Sequence, residues 1–278
     1  MNYRHAYHAG NFADIIKHCA VLMSLEHLQR KGKGAFVLDA HAGGGAYDLN
    51  SDQALRTGEA DCGIARLMPG MVHITNNDLK QYCDSIAPWW HNNSYPGSPL
   101  LIAEQLRAQD KLFANELETG EYKALCANLA EAGYKSIKIF QQDAYEAIRA
   151  HVPPKLRRGL VLIDPPFERD DEFATLAAQM RHWHKRWANG MFMIWYPVKA
   201  GIDADLAPLI HQARDWHRPL RTEFLIDNRE TAGQLNGCGL LILNTPYQLD
   251  ERLKALCGEL TQLLGYGRFA HTWLSDNI

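Results

Sequence analysis

Short apolar runs alternate with helical periodicities along most of this chain, and that alternation restricts it to a largely parallel sheet covered by helices. Residues 35–39, 111–116, 136–140, 159–163 and 191–196 read as buried strands. Helical spacing fills the intervals at 98–108, 119–132, 143–150 and 172–188, the last with the stripe Phe173, Leu176, Ala177, Met180, Trp183 and Trp187. An amphipathic helix from about Asn11 to Arg30 precedes the first strand, because Phe12, Ile15, Ile16, Cys19, Leu22 and Met23 recur at i, i+3, i+4 and i+7 spacing. After the fifth strand come a helix near 203–216, apolar runs at 220–226 and 238–243, and a helix near 248–264. The two late strands have no full helix between them, which predicts an antiparallel edge pair.

Residues 47–95 break the alternation. They are polar, acidic and rich in Asn and Asp, with Trp89-Trp90 near their end. This predicts an inserted helical subdomain, dividing the chain into a main domain of residues 1–46 and 96–278 and an insertion of 47–95. The insertion is either a cap over the substrate cleft or a decoration without ligand contact. With 278 residues, 46% of them apolar and 22% charged, the chain can bury a full-sized core. No apolar run approaches a membrane span, and the start lacks the hydrophobic region of a secretory signal, so the expected location is the cytoplasm. Six scattered cysteines without a C-x-x-C pair indicate neither a disulfide framework nor a zinc site.

Chemistry gathers at the strand ends. Asp164-Pro165-Pro166-Phe167 follows the apolar run Gly159–Ile163, which parks a carboxylate at a strand's carboxyl end. The prolines lack N–H groups and fix the carbonyls beside Asp164, and Phe167 adds a flat face. An exocyclic amine of a planar base can donate to the Asp164 carboxylate and the Pro165 carbonyl while its ring stacks on Phe167. For a bare D-P-P tripeptide a proline turn is the commoner reading, so context decides. Asp39, Glu116 and Asp143 also close predicted strands. One such carboxylate is an ordinary helix cap; four on consecutive strands favour a ligand crevice. Glu116 is placed to accept ribose hydroxyls, and Asp143 an adenine amino group. The turn Ala40-His41-Ala42-Gly43-Gly44-Gly45 lets backbone amides approach a ligand, but it matches neither G-x-G-x-x-G nor a triphosphate loop.

The net charge of −3 makes no global case for nucleic acid, but its distribution is uneven. Four basic residues and no acidic one lie between Arg149 and Arg158, and seven basic residues face three aspartates between Arg181 and Arg221. If these stretches share the face onto which Asp164 opens, they form a phosphate-binding footprint. At the amino terminus, Asp14, Lys17 and His18 fall on one helical face away from the apolar stripe, placed to project together into the crevice. His5, His8 and His18 match no metal-ligand spacing, so no metal is expected.

Taken together, Y-R-H-x-x-H-A-G-N-x-A-D-x-x-K-H at 3–18, L-D-x-H-A-G at 38–43, Y-P-G-S-P at 95–99, N-E-L at 115–117, I-D-P-P-F at 163–167 and W-Y-P at 195–197 resemble the RlmJ family of bacterial 23S ribosomal RNA adenine-N6 methyltransferases. The resemblance implies an α/β, class I Rossmann-like domain that uses S-adenosylmethionine, with a small helical insertion after the first strand. Carried over, it implies cofactor contacts by His18, His41, Ser98, Glu116, Asp143 and Ala144. Asp164 is then the catalytic residue, with Lys17, Pro165 and Phe167 near the target nucleotide and Tyr3 touching the RNA. Phe167 stands where many relatives carry tyrosine, which keeps the stacking face. The implied partner is naked or protein-poor 23S ribosomal RNA, bound by a monomer without metal or membrane. The rival readings are a DNA adenine-N6 methyltransferase, a methyltransferase of small molecules or protein glutamine, and a non-catalytic RNA-binding module.

Overall fold

In the computed structural model, which describes residues 5–134 and 137–275, α1 (Phe12–Gln29) leads into β1 (Phe36–Asp39). The insertion follows as β2 (Ala46–Asp48), α2 (Asp52–Thr57), α3 (Glu59–Cys62), α4 (Ile64–Leu67), α5 (Asn77–Trp90) and β3 (Ser94–Pro96). Alternation then resumes with α6 (Ser98–Glu104), β4 (Lys111–Asn115), α7 (Thr119–Glu131), β5 (Ile137–Phe140), α8 (Ala144–His151), β6 (Gly159–Ile163), α9 (Glu172–Trp187) and β7 (Met191–Val198). The chain closes with α10 (Ile202–Ala213), β8 (Leu220–Leu225), β9 (Gly237–Leu243), α11 (Leu249–Leu264) and β10 (Arg268–Trp273). Tyr3, and Ser136 at the start of the expected third strand, lie outside the described residues.

The main sheet has the order β10-β8-β9-β7-β6-β1-β4-β5. From β5 to β7 all pairings are parallel, and β9, β8 and β10 continue the sheet antiparallel. The chain runs outward from β1 through β4 to β5, then crosses back to β6 on β1's other side. That reversal opens a crevice above the carboxyl ends of β1, β4 and β6, the place where doubly wound sheets bind ligands. This is the class I Rossmann-like arrangement. Apolar side chains of α1, α6, α7 and α11 fill one face of the sheet, and those of α8, α9 and α10 the other.

Three expectations need correction. The late strands pair with each other, but β10 covers β8, so the antiparallel wing has three strands and neither expected strand is the edge. The helix expected at 98–108 stops at Glu104, and Arg107 folds back onto Asp110 with its backbone N–H and guanidinium at 2.9–3.0 Å. The helix α1 is not amphipathic in the expected sense. Every residue from Phe12 to Leu25 is buried, including Asp14, Lys17 and His18, because α1 lies between the sheet and the helices α5, α6 and α11.

The insertion is joined to the main domain through polar contacts at several points. Glu59 takes hydrogen bonds from Asn11 Nδ2 at 2.8 Å and pairs with His8 Nδ1 at 2.6 Å, which raises the His8 pKa. Gly63 lies so close to the chain at Gly10 that a Cβ there would meet the Gly10 carbonyl oxygen at 2.2 Å. On α11, Glu259 accepts from the Thr75 and Asn76 backbone N–H groups at 2.7 Å, and Arg252 reaches Asp78.

Candidate active site

The crevice is a cavity of about 200 Å³ that opens to solvent at its mouth. Its walls include Lys17, His18, His41, Ser98, Glu116, Asp143, Ala144, Asp164 and Pro165, nine of the residues singled out from sequence. They come from six separate stretches of chain, brought together because each follows or underlies a strand end. Phe167 is not in the wall. It stands beside Pro166, half-buried, with ring contacts to Phe173 at 4.7 Å and Trp195 at 6.0 Å, and together the three rings form an aromatic shelf next to the mouth. Phe167 holds φ at +49°, a left-handed conformation that costs a non-glycine residue roughly 1–2 kcal/mol and fixes how the Asp-Pro-Pro turn leaves β6.

One end of the crevice is built from backbone. Gly43 adopts φ +60°, and a Cβ there would lie 2.1 Å from the Tyr47 hydroxyl, so only glycine lets the first turn close. The Gly43 N–H donates to Glu116 Oε2 at 2.9 Å, and the Glu118 N–H to Oε1 at 2.8 Å. Burial pushes the Glu116 pKa up, and these amides offset part of that. Asp143 caps α8 by accepting from the Tyr145 and Glu146 N–H groups, both through Oδ1. Asp39 is the exception among the four strand-end carboxylates. It is fully buried beneath the crevice floor, takes the Ser98 hydroxyl at 2.6 Å, and is pushed up to about 6 by burial.

Charge concentrates at the other end. Lys17 Nζ lies 2.8 Å from Asp14 and 2.6 Å from Asp164, and is only 5% exposed. Burial favours its neutral form, but the two carboxylates outweigh it and hold the pKa well above the usual lysine value. Burial likewise pushes Asp14 up, yet His5 and Lys17 reverse this and hold it well below the carboxylate range. Asp14 also accepts from His5 Nε2 and the Gly10 N–H, each at 3.0 Å. The Asp164 backbone N–H donates to His41 Nδ1 at 3.2 Å, and burial lowers the His41 pKa to about 4, so its imidazole is neutral. His18 is lowered to about 3 by burial. Its Nδ1 meets the Tyr95 hydroxyl at 2.9 Å, Tyr95 meets Tyr82 at 2.8 Å, and its Nε2 is buried without a hydrogen-bond partner.

Several residues in the crevice were not singled out from sequence. Tyr47, Tyr145, Arg169 and Glu172 line it, with the Tyr145 hydroxyl bonded to the Glu172 carboxylate, and His5 joins them after being weighed only as a metal ligand. Tyr145 had a readable signal, as it follows Asp143-Ala144 directly, whereas Tyr47 and Glu172 depend on tertiary contacts. Among the described residues no group of three His, Cys, Asp or Glu side chains could hold a metal ion, and no helix is long and apolar enough to cross a membrane.

The sequence profile of the family described as "Ribosomal RNA large subunit methyltransferase D, RlmJ" matches residues 32–275. The chain belongs to the RlmJ family. It is 32% identical to the ribosomal RNA large subunit methyltransferase J of Haemophilus influenzae and 31% identical to that of Escherichia coli, in both cases over 99% of each chain. A crystal structure of a Legionella pneumophila protein is 29% identical and superposes with a TM-score of 0.86 over 96% of this chain and 98% of that one. Membership places the chain among S-adenosylmethionine-dependent ribosomal RNA methyltransferases. The residues fit that cofactor: a glycine cradle closed by Glu116, a neutral His18 with an unpartnered buried nitrogen, and a capping Asp143 at the next strand end. The RlmJ profile begins after α1, so the His5-Asp14-Lys17 cluster lies outside it, though within the span aligned to the two relatives.

Proposed function

We propose that this chain transfers a methyl group from S-adenosylmethionine to N6 of an adenine in 23S ribosomal RNA. The observation that carries this reading is the Lys17–Asp164 contact at 2.6 Å, which fixes Asp164 Oδ2 at a crevice wall that Pro165 also lines. The second carboxylate oxygen and the Pro165 carbonyl are two acceptors for the two hydrogens of an exocyclic amine. Adenine N6 is a poor nucleophile because its lone pair is delocalised into the ring. Hydrogen bonds from both N–H groups to Asp164 and Pro165 favour a pyramidal nitrogen, with its lone pair directed into the crevice. After transfer the surplus proton on nitrogen passes to Asp164 Oδ1 or to water. The cofactor supplies a methyl group already activated on sulfur, and holding base and donor together can supply several kcal/mol more.

In this reading His18, His41, Ser98, Glu116, Asp143 and Ala144 hold the cofactor, Lys17 positions Asp164, and Tyr3 and the Phe167 shelf receive the nucleotide. A paired base cannot reach the crevice, so the adenine must be extruded or single-stranded. The insertion of residues 47–95 backs the cofactor end through Tyr47, Tyr82 and Tyr95. The protein works as a monomer without metal, in the cytoplasm, on naked or protein-poor RNA. Mass-spectrometric mapping of ribosomal RNA from cells with and without the protein tests this. Loss of one N6-methyladenosine in 23S RNA is expected; an unchanged RNA pattern, or equal turnover on DNA, overturns it.

A further inference from the structure

The basic residues singled out from sequence divide between the two ends of the parallel strands: Lys199 directly follows β7, on the side where Asp164 follows β6, but most of the others lie at the opposite end. Arg149 to Arg158 precede β6, whereas Asp164 follows it, and Lys185 and Arg186 end α9 just before β7. Arg149 to Arg158, Lys185 and Arg186 therefore lie at the amino ends of the parallel strands, separated from the crevice by the length of β6, roughly 16 Å at 3.3 Å per residue.

There they form one continuous surface. The Arg158 guanidinium donates to the Leu28 carbonyl at 3.2 Å, Arg107 to the Lys33 carbonyl at 3.1 Å, and Arg186 to the Arg149 carbonyl at 2.5 Å, while Trp187 Nε1 donates to the Arg157 carbonyl at 3.3 Å. Lys31, Lys33, Lys155, Arg157 and Lys185 are exposed on it, and among the described residues none of the five forms an ion pair. The neighbouring carboxylates are engaged: Asp110 by Arg107, Glu26 by Arg30 and Arg252, and Glu146 by Arg149. Glu104 and Glu131 end helices toward β4 and β5, and Asp215 follows α10, so the basic surface is centred on β1 and β6. Five exposed cations without an ion pair thus gather at one end of a chain whose net charge is −3.

We propose that this amino-end face is a docking surface for the phosphate backbone of a folded RNA. The inference rests on the RNA-methyltransferase reading and deepens it. Lysine and arginine heads without carboxylate partners release counterions when they meet phosphates, and they read no sequence. Because the face points away from the crevice, one RNA can fill both only by passing round the protein. The favoured substrate is therefore a structured RNA domain rather than a short single strand.

The test combines Lys31→Gln, Lys33→Gln, Lys155→Gln, Arg157→Gln and Lys185→Gln, with Lys→Arg exchange at the four lysines as the charge-conserving control and thermal unfolding to confirm the fold. Binding is measured against salt for a folded ribosomal RNA fragment and for a short single strand carrying the target adenine. The neutralised variant should lose log–log salt slope on the folded RNA by about 0.9 per phosphate contact removed, up to about 4.5 in all. Its kcat/KM on the short strand should be unchanged, and the arginine control should match wild type. An unchanged slope on folded RNA, an equal loss of activity on both substrates, or the same slope loss toward polyglutamate but not RNA overturns the proposal. If wild type transfers no methyl group to either RNA, the methyltransferase reading fails instead, and the salt slopes still judge the docking face.

Discussion

Replacing Lys17 by methionine tests how the buried charges of α1 are held. Lys17 bridges Asp14 and Asp164, whose side chains are 3% and 17% exposed. Methionine fills a similar volume but leaves both carboxylates without their cation. Asp164 can turn toward water in the crevice; Asp14 cannot. Removing one partner of a buried pair typically costs about 3–5 kcal/mol. Asp14 keeps His5 Nε2 and the Gly10 N–H at 3.0 Å, which places the expected loss at the lower end, about 3 kcal/mol, or roughly 6–12 °C in Tm.

The pH dependence of that loss is also fixed. Asp14 is depressed below its ordinary value of 3.8, so its contribution is present above that pH and lost as pH falls through the folded-state value. Lys17 is raised above 10.5, so its contribution is present below that pH and lost as pH rises through the folded-state value. Between pH 5 and 9, roughly, neither group titrates, and the gap between wild type and variant should be flat. Denaturant melts of wild type, Lys17→Met, and Lys17→Met with Asp14→Asn provide the assay. The double variant should regain stability to within about 1 kcal/mol of wild type, because the orphaned charge is gone. A single variant as stable as the double would refute the reasoning.

Asp39→Asn should stabilise the protein near pH 7.5. Asp39 is raised from 3.8 to about 6, so its ionised form costs up to about 3 kcal/mol above pH 6, and the advantage of Asn should vanish as pH falls toward 4; equal Tm values at pH 7.5 would contradict this. Gly43→Ala forces a Cβ against the Tyr47 hydroxyl at φ +60°, and should weaken S-adenosylhomocysteine binding by roughly tenfold or more in calorimetry. Adding Tyr47→Phe should restore part of that affinity, and no recovery would show that the clash is not the cause. Tyr95→Phe strips His18 Nδ1 and the Tyr82 hydroxyl of their partner, and a Tm unchanged by this loss of about 1–3 kcal/mol would remove the insertion from the support of the site.

The parallel strands were legible because each is a short apolar run closed by a polar residue, and in a doubly wound sheet such closures become the ligand crevice. Asp164 and Glu116 were read in that way, whereas His41 came only from the family resemblance. The edge strand β10, Arg268-Phe269-Ala270-His271-Thr272-Trp273, was missed because its alternate residues are half-buried at most, which leaves little apolar signal. The burial of α1 was missed for a different reason. Asp14, Lys17 and His18 read as a polar face projecting into the crevice, and the Lys17 pairs with Asp14 and Asp164 that let the whole helix be buried depend on tertiary contact. The position of Arg149 to Arg158 was readable from the order of elements: residues before a parallel strand lie at the end opposite residues after it. Asp143 shows both readings at once, since it caps α8 and lines the crevice.

The central claim is that Asp164 meets the amine to be methylated. Its most direct test is single-turnover transfer of labelled methyl from S-adenosylmethionine to a 23S RNA fragment by wild type and Asp164→Ala, with cofactor affinity and thermal unfolding measured alongside. The account predicts a fall of about a hundredfold or more in transfer at unchanged cofactor affinity and fold. A folded Asp164→Ala protein that methylates adenine N6 at close to the wild-type rate would contradict it.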